Sequence, residues 1–193
     1  EAYGKRIIVV GPTGSGKTTL ARRLSELLAV PHVELDALHW EPGWKEAAED
    51  VFRQRVEEAV IGDGWVVDGN YSVVRNLLWP RATALVWLDY PLRLIMWWLL
   101  CRTLRRIVRR EELWSGNQER FAAQFFSRES LFLWALRTHW RRRRTYSSLV
   151  RQPEYAHLKV VHLRSTRETQ AWLSRLGTVT NESDLRNEPR PGS

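Results

Sequence analysis

The sequence predicts an α/β fold of three layers, with a parallel sheet covered by helices on both faces. Five short apolar runs, at residues 6–10, 32–35, 65–67, 84–88 and 159–163, alternate with segments of helical periodicity. The runs are near-continuous rather than alternating, as expected of strands buried on both faces of a parallel sheet. The first run, Ile7-Ile8-Val9-Val10, leads directly into Gly11-Pro12-Thr13-Gly14-Ser15-Gly16-Lys17-Thr18, and that loop opens into an amphipathic helix. Strand, glycine loop and helix is the context in which G-x-x-x-x-G-K-[ST] reads as a phosphate cradle.

Each element has its own signal. Residues 16–29 carry apolar positions at helical spacing, as do residues 45–61, where Val51, Phe52, Arg55, Val56, Ala59 and Val60 form one face. Gly62-Asp63-Gly64 then turns the chain into the third strand. After the fourth strand a long helical region runs from about 91 to 150. Pro91 stands at its first turn and Ser115-Gly116-Asn117 divides it, the pattern of an arginine-rich lid. Ser165-Thr166-Arg167-Glu168 is a capping box for the last helix, and Gly177 reads as its C-terminal stop. One domain over residues 1–177 is expected, with a flexible polar tail at 178–193. Within it an acceptor-binding insertion is expected at about 37–64 and a helical lid at about 100–150.

Composition narrows the class. A chain of 193 residues can bury roughly 70% of its unfolded surface. Its single cysteine, Cys101, excludes an intramolecular disulfide and fits a reducing, cytoplasmic setting; its apolar surroundings predict a packing role. No signal peptide is visible before the first strand. The longest apolar run spans only 94–101, against the roughly 20 residues of a membrane span. The net charge of +8 is mostly arginine, since lysine occurs only at 5, 17, 45 and 159. Arginine grips phosphate in a planar fork that lysine cannot make.

The glycine loop implies ATP with Mg²⁺. Gly11, Pro12, Thr13, Gly14, Ser15, Gly16, Lys17, Thr18 and Thr19 are expected to hold the phosphates. Within that set Lys17 reaches the β- and γ-phosphates and Thr18 ligates the metal. Arg164, just past the last strand, is a further candidate for the nucleotide. Ligands of such sheets bind beyond the carboxyl ends of the strands. Asp36 ends the second strand and is a candidate to orient or deprotonate an acceptor hydroxyl, or to hold Mg²⁺ through water. His39 and Trp40 share its loop as substrate candidates. Asp68 ends the third strand and Asp89 the fourth; both are candidates for the metal-water ligand. Gly69, Asn70 and Tyr71 after Asp68 look like a site, with Arg75 close behind, whereas Tyr90-Pro91 after Asp89 looks like a helix start.

Arg102, Arg105, Arg106, Arg109 and Arg110 form one cluster, with Arg106 and Arg110 the candidates to stabilise the transferring phosphoryl group. Arg141, Arg142, Arg143 and Arg144 form another, for which a nucleic-acid patch is the rival reading. No base-stacking motif accompanies that run, and no His/Cys spacing suggests zinc.

With these residues in hand, the chain resembles the small P-loop kinases known as adenylate-kinase-like or "topology modulation" proteins, relatives of nucleotide and shikimate kinases. GPTGSGKTTLARRLSELL, HVELDALHWEPGW, WVVDGNY, and LVWLDYP followed by LCRTLRRIVRR carry the resemblance, which continues more weakly through SGNQERF and LKVVHLRSTRETQAWL. The resemblance implies strand order 2-3-1-4-5, an acceptor site between the second and third strands, and a lid after the fourth. It implies an ATP-dependent transfer of phosphate to a nucleotide-like or other small acceptor. Asp68-Gly69 resembles the Asp-Gly of adenylate kinases, followed here by Asn70-Tyr71 instead of Phe-Pro-Arg, which leaves Arg75 to stand in for the missing arginine. Asp36 resembles the strand-two aspartate of shikimate-type kinases; the usual second aspartate, two residues away, is Glu34 here.

Overall fold

The structure is a computed structural model that describes residues 3–109 and 131–187. Its strands are β1 (Arg6–Val10), β2 (His32–Glu34), β3 (Trp40–Glu41), β4 (Lys45–Glu46), β5 (Trp65–Asp68), β6 (Ala84–Leu88) and β7 (Lys159–Leu163). The helices are α1 (Lys17–Leu28), α2 (Leu35–His39), α3 (Glu49–Ala59), α4 (Arg75–Leu78), α5 (Leu92–Arg109), α6 (Leu131–Leu149) and α7 (Thr166–Asn187). Five strands make one sheet in the order β2-β5-β1-β6-β7, all pairs parallel. Taken in order of appearance this is the expected 2-3-1-4-5. β3 and β4 form a separate antiparallel hairpin.

Strand side chains alternate between faces, and β1 shows how that builds two cores. Ile8 and Val10 enter one core with Phe52 and Val56 of α3, Leu78 of α4 and Tyr146 of α6. Ile7 and Val9 enter the other with Leu20 and Leu24 of α1, Ile95 and Leu99 of α5, and Trp172 and Leu176 of α7. β5 and β6 are buried throughout and β1 from its second residue on, so a continuous apolar run was the right signature for them. β7 is an edge strand whose first two residues are exposed. The sheet interior places the ends of β1, β2 and β5 side by side, which is where the glycine loop, Glu34 and Asp68 meet.

Several elements differ from expectation. Asp36 lies within α2 rather than at a strand end. The helix expected over 45–61 is shorter, because its first residues form β4 and close the hairpin over α2. Gly177 does not stop the last helix, which runs on to Asn187 instead of giving way to a tail at 178. A stop at glycine needs the left-handed conformation, and Gly177 is not among the positive-φ glycines. Cys101 is exposed on α5 rather than packed. The Ser115-Gly116-Asn117 break lies outside the described residues. Among the described residues, no helix is long and apolar enough to cross a membrane.

Candidate active site

The loop between β1 and α1 wraps the mouth of a cleft of about 880 Å³. Gly14 and Gly16 take φ of +79° and +82°, values that L side chains resist. A Cβ on Gly14 would stand 2.6 Å from Leu99 Cγ, so α5 is pressed directly against the loop. Gly16 is the N-cap of α1 and no side chain caps the helix, so its first-turn N–H groups are presented to the cleft. The Lys17 ammonium donates to Pro12 O at 3.0 Å, folded over the loop it would release on meeting phosphate. Ser15 Oγ is buried with no hydrogen-bond partner, a donor suited to an anion in the cradle. These features fit the phosphates of a nucleoside triphosphate.

Two carboxylates, Glu34 and Asp36, line the same cleft, and a third, Asp68, is bonded to Thr18 in its wall. Thr18 Oγ1 donates to Asp68 Oδ2 at 2.8 Å and sits 3.4 Å from Glu34 Oε1. Hydroxyl and carboxylates of this kind are the hard oxygen donors that suit Mg²⁺. Asp68 is almost fully buried, and its other oxygen pairs with His32 Nε2 at 2.8 Å. Asp89 is equally buried but faces elsewhere: its Oδ2 meets His162 Nε2 at 2.9 Å and Arg143 Nε at 3.1 Å. Of the two strand-end aspartates, Asp68 is the one placed at Thr18.

Asp36 lines the cleft too, and the Tyr71 hydroxyl donates to its Oδ1 at 2.5 Å. Burial, reinforced by the neighbouring Asp36 charge, pushes the Tyr71 phenol far above its ordinary value, so it remains a donor at any working pH. His39 packs against the rings of Trp40, Phe52 and Tyr71 and lies 3.9 Å from Glu46. Trp40 meets Trp44 edge to face. His39 thus packs on the Tyr71 ring, and neither His39 nor Trp40 lines the cleft.

Asn70 has a different task from the acceptor contact expected of it. Its Nδ2 donates to Gly11 O at 2.6 Å, and its Oδ1 accepts from Gly11 N at 3.2 Å and from the Tyr146 hydroxyl at 3.0 Å. It ties the glycine loop to β5 and α6. Gly69, at φ +148°, passes close to Leu35, whose Cβ would lie 2.8 Å from an added methyl. Arg75 lies over the Trp79 ring at 5.5 Å, outside the phosphate cleft, where it lines a small void with Tyr71 and Tyr146. Arg164 is exposed; its backbone N–H is held by Glu168 Oε2 at 2.8 Å, and it does not line the cleft. Arg106 falls on α5 with its side chain outside the described part, and Arg110 lies outside the described residues altogether.

Other residues complete the cleft. Glu34 stands at Thr18; its offset of two from Asp36 was the signal for it. The far end is lined by Tyr90, Trp98, Thr169, Gln170 and Leu173, with the Tyr90 hydroxyl 2.6 Å from Thr169 Oγ1. The capping box at 165–168, beyond a strand end, marks that helix terminus in the sequence. There Ser165 Oγ accepts from Glu168 N at 3.2 Å. The 141–144 arginine run is not one solvated face: Arg141 and Arg144 are exposed, Arg143 pairs with Asp89, and Arg142 is half-buried beside Tyr146.

Residues 7–89 match the family model described as an AAA domain. Curated relatives include the ATP-dependent protease ATPase subunit HslU of Dinoroseobacter shibae, 39% identical over 62 residues, and that of Myxococcus xanthus, 42% identical over 62 residues. Each alignment covers 31% of this chain, and the chain spans 14% of the length of those relatives. Among solved structures, a gluconokinase from Sinorhizobium meliloti 1021 superposes with TM-score 0.51 at 19% identity, over 94% of this chain and 98% of that one. A shikimate kinase from Bacteroides thetaiotaomicron superposes with TM-score 0.52 at 16% identity, over 92% and 98%. The chain therefore shares its three-layer α/β fold with those two structures, and its segment 7–89 is similar to the AAA domain family.

Proposed function

We propose that this protein is an ATP-dependent phosphotransferase that moves the γ-phosphate of ATP to a small hydroxyl or phosphate acceptor, nucleotide-like or otherwise. One observation carries the reading: Thr18, which is bonded to Asp68, lines a single cleft with Asp36, which puts a donor site and an acceptor carboxylate side by side. A pure nucleotide switch has no need of the second carboxylate. The solved structures of like fold are named as kinases, which agrees.

The residues divide the work. The glycine loop and the α1 N-terminus bind the triphosphate, and Lys17 swings from Pro12 to the β- and γ-phosphates. Thr18, Asp68 and Glu34 would hold Mg²⁺, which when bound neutralises charge on the phosphates. Tyr71 occupies Asp36 Oδ1, leaving Oδ2 to accept the proton of an acceptor hydroxyl. The acceptor oxygen then bonds to the γ-phosphorus as the bond to the β-phosphate bridging oxygen breaks, ADP departs, and Asp36 passes the proton to solvent. Little covalent work falls to the protein, so alignment and electrostatics supply most of the acceleration.

The test is a phosphotransfer screen with γ-labelled ATP and Mg²⁺ against nucleotides, nucleosides, small hydroxy acids and RNA. Label is expected in a small acceptor and absent with Lys17→Ala. Full transfer by Lys17→Ala, or Mg-ATP binding with transfer to no acceptor, overturns the reading.

A further inference from the structure

His32 opens β2, the edge strand of the sheet, and reaches across to Asp68 on β5. In the parallel register His32 stands opposite Val66, and Glu34 opposite Asp68. Val33 enters the core with Phe52 and Val56 of α3, so His32 and Glu34 project from the other face of the strand. Val66, and with it Asp68, belongs to that same face, where Leu20 and Leu24 of α1 pack. His32 Nε2 meets Asp68 Oδ1 at 2.8 Å, and the Thr18 hydroxyl donates to Oδ2 at 2.8 Å. A carboxylate only accepts, so Nε2 carries the hydrogen. Both oxygens of a buried side chain are thus engaged, one from β2 and one from α1. Two bonds fix the carboxylate plane, whereas one would leave it free to turn about its broad last torsion. Backbone pairing already joins β2 to β5, so the imidazole is not needed for that. His32 lines neither the cleft nor the small void beside Tyr71, so any effect on the reaction passes through Asp68.

We propose that His32 is a positioning residue for the metal of the phosphoryl donor: its N–H keeps the Asp68 carboxylate turned to Thr18, and that sets how tightly the metal is held beside the nucleotide. The proposal rests on the reading of Thr18, Asp68 and Glu34 as the metal-holding set and deepens it. Without His32, Oδ1 is a buried acceptor that has lost its donor. That favours a proton on Asp68 or a turn away from Thr18, and either weakens the site. Partners that orient a metal-holding side chain are worth about 10- to 100-fold in metal affinity. A brace that merely filled space between β2 and β5 would need a ring but no hydrogen-bond donor, and this difference separates the two roles.

Metal and nucleotide affinities, measured separately on the full chain, test it. Mn²⁺ is titrated into the complex with ADP and followed by its paramagnetic resonance signal, and metal-free ADP binding is measured by calorimetry. His32→Phe keeps a ring and loses the donor. It is expected to weaken Mn²⁺ binding about ten-fold or more, while metal-free ADP affinity stays within about two-fold. His32→Gln, whose amide N–H can replace that of the imidazole, should recover most of the loss. His162→Gln alters the other histidine–aspartate pair, at Asp89, and should leave Mn²⁺ affinity unchanged. Unchanged Mn²⁺ affinity in His32→Phe overturns the proposal, as does a His32→Gln protein that binds the metal no better than His32→Phe. Mn²⁺ held no more tightly with the protein than by ADP alone overturns it too. If His32→Phe fails to fold, nitrogen-15 resonance of the unaltered, histidine-labelled protein decides. The His32 Nε2 signal should be that of a protonated nitrogen and should shift when Mg²⁺ joins the ADP complex; an Nε2 without its hydrogen, or no shift, overturns the proposal. Metal affinity that depends on His32, with transfer to no acceptor, upholds the proposal and overturns the phosphotransferase reading instead.

Discussion

The Asn70 side chain binds both polar groups of one backbone residue, Gly11, donating to its carbonyl at 2.6 Å and accepting from its amide at 3.2 Å. An asparagine is suited to this, since its amide both donates and accepts. The phosphate loop is therefore anchored to the strand that carries Asp68. Asn70→Ala is expected to leave both Gly11 groups short of a partner and to destabilise the fold by about 2 kcal/mol. The KM for ATP should rise with it. Asn70→Asp should fall between, because it keeps the acceptor and loses the donor. Urea unfolding with ATP-binding isotherms on the two variants checks the order.

Thr18 and Asp68, joined at 2.8 Å, make the expected metal locus. Thr18→Val preserves shape and removes the hydroxyl. Phosphotransfer is expected to fall at least 100-fold, with an increased Mg²⁺ requirement and a smaller change in metal-free ATP binding. Asp89→Asn should leave the Mg²⁺ requirement in place, since Asp89 pairs with Arg143 and His162 instead. Titrating activity with Mg²⁺ separates the two.

Gly14 and Gly16, both left-handed, are not equivalent. An added methyl on Gly16 meets nothing within 4 Å, whereas on Gly14 it lies 2.6 Å from Leu99 Cγ. Gly16→Ala should cost about 1 kcal/mol, from backbone strain alone. Gly14→Ala adds a clash with buried Leu99 and should cost about 3 kcal/mol. Thermal unfolding of the two variants measures the gap.

Tyr71 and Tyr146 are both held protonated by burial. Above about pH 10 the unfolded chain releases tyrosine protons that the folded chain keeps. The folded state then binds more protons, so stability falls as pH rises, by at most about 1.4 kcal/mol per pH unit for each such tyrosine. Between pH 9.5 and 11 the unfolding free energy should drop steeply. Tyr71→Phe or Tyr146→Phe should each flatten the slope in urea titrations.

The main sheet was legible because burial on both faces writes itself as an apolar run: β1 and β6 fall on residues 6–10 and 84–88 as expected. The glycine loop was legible because its spacing encodes its backbone. Much of the rest depends on contacts between distant residues. Asn70 looked like an acceptor contact, since its bonds to Gly11 span 59 positions. Glu34 was visible only as an offset from Asp36, and its approach to Thr18 comes from the side-by-side ends of β1, β2 and β5. The hairpin of β3 and β4 has two-residue strands, too short for periodicity. The arginine run at 141–144 read as one charged patch. Helical geometry divides it, turning Arg143 to Asp89 and Arg142 toward Tyr146.

The central claim is that the loop at Lys17 holds the phosphoryl donor while Asp36 holds the acceptor of the same phosphate. The most direct measurement is label transfer from γ-labelled ATP in the unaltered protein and in Asp36→Asn, with Mg-ATP affinity measured on both. The expected result is transfer to a small acceptor that falls at least 100-fold in Asp36→Asn, with Mg-ATP affinity held within about two-fold. Unchanged transfer in Asp36→Asn contradicts the claim.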